Sequence, residues 1–103
     1  MRRVVVTGLG IVSSIGNNAE QVVESLRQAK SGISFSPEYR DMGFRSHLHG
    51  KPEIDLENIV DRKMLRFMGD GAAYNYVAMK EAIADAGLSH AEVSNERTGL
   101  IVG

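Results

Sequence analysis

Three cations stand close together near the middle of the chain: Arg62, Lys63 and Arg66. If residues 61–68 form a helix, a turn of about 100° per residue places all three within an arc of about 100°. Met64, Leu65, Phe67 and Met68 take the rest of the circumference. One face would then hold positive charge while the others bury apolar groups. In a chain of net charge −1 this is a local basic patch, with no Asp or Glu between Arg62 and Gly69. Guanidinium and ammonium groups so arranged suit a phosphate or an acidic partner. A solvated helix face, with Asp61 as partial counter-charge, accounts for the same residues. The chemistry alone leaves both readings open.

The glycine-rich segment Val6-Thr7-Gly8-Leu9-Gly10-Ile11-Val12-Ser13-Ser14-Ile15-Gly16 follows an apolar run and precedes a helical pattern. A dinucleotide-binding turn would need its third glycine where Ser13 stands, with a second strand and an acidic residue following within a ~30-residue unit. Neither condition is met, and the lysine of a phosphate-binding loop is also missing. Glycines that let backbone approach a neighbouring element explain the segment better. His47 and His49 alternate along a short extended stretch, as two metal ligands might, but a zinc site needs three or four ligands. His90 follows a helical pattern, and surface positions are the simpler reading for all three histidines. Ser13 and Ser14 lack the context of a nucleophile elbow. The absence of cysteine excludes a thiolate metal site, a disulfide or a cysteine nucleophile within these residues.

The elements that must position these groups follow from periodicity. Residues 4–12 are almost wholly apolar, the pattern of a parallel strand covered on both sides. Asn18 is placed to cap a helix, with Gln21 completing a capping box. Ala19, Val22, Val23, Leu26 and Ala29 then share a face, and Gly32 provides a left-handed stop. Residues 33–60 carry no helical period. Phe44 to His49 alternate, and a surface excursion with a hairpin is expected. Asp61 should cap a short helix through Met68. Asp70 should cap a longer one ending at Gly87, with the stripe Ala72, Tyr76, Met79, Ile83 and Ala86 and six alanines that keep it slim. A second buried strand is expected from Thr98 to Val102. Two doubly covered strands need more helices than 103 residues supply, so the chain is expected to be part of a larger α/β domain.

Composition narrows the class further. Twelve Lys and Arg balance 13 Asp and Glu, which argues against binding nucleic acid through overall charge. With 43% hydrophobic and 24% charged residues the chain is neither disordered nor fibrous. Thr7, Gly8 and Gly10 interrupt the first apolar run, so neither a signal peptide nor a membrane span is expected, and a cytoplasmic location is.

The stretch from Arg3 to Asn18 resembles the N-terminus of the bacterial β-ketoacyl-acyl carrier protein synthases. Lys30-Ser31-Gly32-Ile33, Arg45-Ser46-His47, Asp61-Arg62-Lys63, Arg66-Phe67-Met68 and Ala82 to Leu88 extend the resemblance through Gly103. Ser-Ser-Ile-Gly-Asn-Asn and Arg66-Phe67-Met68 point to the type I members, while the type II members share the opening Val-Thr-Gly-Leu-Gly and an Arg-Lys pair. The resemblance implies an α/β, thiolase-like fold layered αβαβα, with buried parallel strands under covering helices, of which residues 1–103 are an N-terminal, truncated part. It implies a homodimer and a decarboxylating Claisen condensation that elongates acyl chains in fatty acid biosynthesis. The acyl chain passes from acyl carrier protein to a cysteine, and malonyl-acyl carrier protein loses CO₂ and attacks the thioester. No catalytic position of the family falls in the matched part, so His47, His49 and His90 receive no such role. No cofactor or metal is expected, and the 103 residues alone are expected to be inactive. Arg62, Lys63 and Arg66 match the region that helps dock acyl carrier protein. A stand-alone, non-catalytic module holding an acidic partner on the same helix remains the alternative.

Overall fold

The computed structural model describes residues 1–103. The first helix, α1 (Ala19–Arg27), starts at Asn18, whose extended backbone and side-chain oxygen suit an N-cap; the oxygen accepts from the Gln21 N–H at 2.9 Å. The Gln21 side chain accepts from Asn17 N–H at 2.9 Å instead of from Asn18, so the reciprocal half of the capping box is displaced by one residue. Val22 and Ser25 are buried, and the Ser25 hydroxyl donates to the Ile15 carbonyl at 2.6 Å, tying α1 to the turn before it.

The stop of α1 is not Gly32, as the sequence predicts, but Ala29, at φ 52°. Lys30 N–H reaches Ser25 O at 2.8 Å and Ala29 N–H reaches Leu26 O at 3.1 Å, a Schellman closure with alanine in the left-handed position. Gly32 is small for a different reason: a Cβ there would lie 2.5 Å from the Ser14 carbonyl oxygen. Left-handed backbone is strained for alanine and free for glycine. Ala29→Gly is therefore expected to stabilise the protein by about 0.5–1 kcal/mol, the relief of strain less the extra chain entropy, read as a higher denaturant midpoint.

The longest helix, α5 (Asp70–Ala86), is capped by Gly69, and Asp70 is its first residue rather than its cap. A carboxylate in the first turn still complements the helix dipole. Gly87 closes the helix at φ 67°, with Leu88 N–H bonded to Ile83 O at 3.2 Å, as the sequence predicts. The expected apolar stripe is only partly used: Tyr76, Ile83 and Ala86 are half-buried, Ala72 and Met79 are exposed, and Ala73 is the fully covered residue.

A second side of α5 carries the opening segment. Gly8 lies on Ala82 and Ala86, and Gly10 on Ala78 and Ala82, so close that a Cβ at either glycine would collide with α5 backbone. Between them Leu9 N–H donates to Asp85 Oδ2, and just after Gly10 Ile11 N–H donates to Glu81 Oε2, each at 2.9 Å. The segment runs antiparallel to α5. Two extended residues advance about 6.6 Å and four helical residues about 6 Å, so the two repeats stay in step. The reading of the glycines as close-packing residues holds.

The two buried parallel strands expected at 4–12 and from Thr98 do not form within this chain. Neither stretch has a strand beside it to complete a ladder, so neither is a strand within residues 1–103. Val4 is 92% and Ile101 98% exposed. The one sheet is antiparallel, β1 (Ser34–Phe35) with β2 (Leu48–His49), pairing Ser34 with His49 and Phe35 with Leu48. This is the expected hairpin-like excursion, but it encloses a helix that was not foreseen, α2 (Pro37–Asp41). Ser36 caps it and Pro37 occupies its first position. Tyr39 packs on Phe44 at 5.2 Å and on His49 at 5.6 Å between ring centres. Two further short helices follow, α3 (Leu56–Ile59) and α4 (Arg62–Leu65).

The last helix, α6 (His90–Val93), has a complete capping box: Ser89 Oγ accepts from Glu92 N–H, and Glu92 Oε2 accepts from Ser89 N–H at 2.8 Å. That backbone bond, with the Ser89 hydroxyl second, holds the Glu92 carboxyl below its ordinary value of 4.5. A depressed acid contributes stability that is present above 4.5 and lost as pH falls through the folded value. Lowering pH from neutrality should leave the Ser89 amide protected until below 4.5 and then release it, while Glu92→Gln should flatten that profile in hydrogen exchange.

Candidate docking site

Asp61 builds the basic helix. Its Oδ1 accepts from Lys63 N–H at 2.7 Å, starting α4 in the manner the sequence predicts. The helix proper ends at Leu65, short of the expected Met68. Arg66 keeps helical backbone angles (φ −60°, ψ −25°), and Phe67 and Met68 close the last turn with bonds to Met64 O and Leu65 O. The arc of Arg62, Lys63 and Arg66 therefore survives although the helix is shorter.

All three cations are exposed. The ion pairs in the chain are Arg27–Glu24 and Arg40–Asp41, so none of the three is neutralised by a salt bridge. Asp61, the expected counter-charge, directs its carboxylate at the helix backbone. Arg62, Arg66, Leu65 and Glu57 line an open surface hollow beside α4. Phe67, which sequence reasoning placed on the apolar circumference, is 91% exposed.

The remaining candidates do not come together as a site. His47 packs edge-on against Phe35 and His49 against Tyr39, each half-buried, while His90 is exposed at the start of α6. No group of three or more His, Asp or Glu is arranged to hold a metal. Ser13 and Ser14 belong to a turn closed by the Ser13–Gly16 bridge. No helix is long and apolar enough to cross a membrane. Sequence reasoning missed Glu81 and Asp85, whose spacing of four on α5 matches the spacing of two between Leu9 and Ile11; that coincidence was the available signal.

Residues 1–103 are matched by the family model described as beta-ketoacyl synthase, N-terminal domain. The chain belongs to this family. It is 55% identical over 103 residues to "3-oxoacyl-[acyl-carrier-protein] synthase 1" of Haemophilus influenzae and 54% over 104 residues to that of Escherichia coli K12. To "3-oxoacyl-[acyl-carrier-protein] synthase 2" of Staphylococcus aureus it is 32% identical over 103 residues. The similarity is thus greater to the type I relatives, in line with the sequence resemblance. The first three alignments cover 100%, 100% and 99% of this chain but 25%, 26% and 25% of the relatives, so the chain spans about a quarter of their length.

Proposed function

We propose that residues 1–103 are the N-terminal part of a 3-oxoacyl-[acyl-carrier-protein] synthase of type I, an acyltransferase that elongates acyl chains by decarboxylating Claisen condensation. The observation that carries this reading is the 55% identity, maintained over the whole chain, to a relative of that name. The segment contributes scaffold and a docking surface, and the cysteine that such a synthase acylates belongs to another part of the polypeptide, since none stands in residues 1–103. The uncovered apolar stretches at residues 4–6 and 100–102 support a place inside the layered αβαβα arrangement, where strands from the rest of the domain complete their ladders. A homodimer working in the cytoplasm accompanies this reading.

Arg62, Lys63 and Arg66 are the proposed contact for acyl carrier protein, in its acyl- and malonyl-loaded forms. Three exposed cations without salt-bridge partners support the role, because they are free to pair with an acidic surface at little desolvation cost. Titrating the full-length protein with a fluorescently labelled acyl carrier protein tests it. Binding should weaken steeply between low and high salt, and salt-independent affinity would contradict an electrostatic dock.

A further inference from the structure

Glu81 does more than hold the opening segment. Its two carboxylate oxygens serve two distant parts of the chain: Oε2 accepts from Ile11 N–H at 2.9 Å and Oε1 from Ala19 N–H at 2.8 Å. Ala19 is the first residue of α1, whose N–H has no partner within its own helix. Ile11 and Ala19 are 70 and 62 positions from Glu81, and all three residues are half-buried. One turn further along α5, Asp85 accepts from Leu9 N–H at 2.9 Å. At Gly8 and Gly10 the segment lies so close to α5 that no side chain fits between them.

We infer that Glu81 is a two-ended clasp that locks the glycine segment and the start of α1 onto α5, with Asp85 as a separate single-ended tie. In this arrangement the carboxylates take the place that carbonyls of a neighbouring strand would have along residues 9–11. Each oxygen has its own donor, so the clasp requires a group with two acceptor oxygens. Glutamine has the length of glutamate but offers one acceptor oxygen, and its NH₂ would face an N–H. Glu81→Gln must therefore release at least one of the two amides. Asp85 has one donor to satisfy, and its loss affects Leu9 alone.

Amide hydrogen exchange on the full-length protein reads each bond separately. Glu81→Gln is expected to speed exchange at Ile11, Ala19 or both by on the order of tenfold or more, as expected for losing a hydrogen bond to a charged group, while Leu9 stays within about twofold. Asp85→Ala, at an exposed helix position, should speed exchange at Leu9 and leave Ile11 and Ala19 unchanged. An equal rise at all three amides in either variant would overturn the clasp, since it would report general loosening of α5. Unchanged exchange at Ile11 and Ala19 in Glu81→Gln would overturn it too. Should Glu81→Gln fail to fold, the Asp85→Ala pattern decides alone: release confined to Leu9 supports independent ties, and release of all three amides contradicts them.

Discussion

Under the proposed function, reversing two charges, Lys63→Glu with Arg66→Glu, is expected to raise KM for the carrier protein by about 10–100-fold in the full-length protein, with kcat nearly unchanged. The size follows from electrostatic steering, which raises association rates by about 10–10³-fold at low ionic strength. Both side chains are exposed and free of salt bridges, so reversal breaks no internal pair. The bond that starts α4 joins Asp61 to the Lys63 backbone and survives the change of side chain. The effect should shrink as salt shortens the screening length from about 10 Å at 0.1 M to about 3 Å at 1 M. Steady-state kinetics at two salt concentrations check both halves. An unchanged KM at low ionic strength would remove the docking role.

The second large effect belongs to Gly10. A Cβ at this position would strike the Ala78 carbonyl of α5, and the Ala82 and Ala78 backbones stand 2.7 and 2.8 Å from it. Those are main-chain atoms of a helix, which yield only if the whole segment lifts. Lifting it would stretch the Leu9–Asp85 and Ile11–Glu81 bonds as well. Gly10→Val is expected to destabilise the protein by about 3 kcal/mol, at the upper end of ordinary overpacking, or to prevent folding. Gly71 provides the opposite case: it lies in the first turn of α5 with nothing within 4 Å of its added Cβ. Gly71→Ala should stabilise by up to about 1 kcal/mol. Denaturant unfolding of the pair should move in opposite directions.

Local signals were the legible part of this fold. Asn18, Asp61 and Gly87 mark helix ends because capping depends on a few neighbouring residues, and each acts as its type predicts. Helices α2, α3 and α6 escaped because four or five residues are too few to display a period; only Ser36-Pro37 and the Ser89–Glu92 box announce two of them. Ala29 was missed as the stop of α1 because Gly32 is the residue that ordinary preference selects. The apolar runs at 4–12 and 98–102 reported burial truthfully as a tendency, but burial needs neighbouring elements. Within residues 1–103 the first lies against α5 at Gly8 to Ile11, and Val4 and Ile101 remain in solvent. A radius of gyration of 16.8 Å, against about 13 Å for a compact unit of this size, says the same. The arc of the three cations was legible because it depends on helical geometry and not on tertiary packing, whereas the end of the helix at Leu65 and the exposure of Phe67 were not.

Supplying the full-length protein with acyl-acyl carrier protein and malonyl-acyl carrier protein, and following release of CO₂ together with the 3-oxoacyl product, is the measurement closest to the centre of this account. Product two carbons longer than the acyl donor, formed in step with CO₂, is the predicted result. A folded, soluble protein that binds the carrier yet releases neither would contradict the assignment as a condensing enzyme.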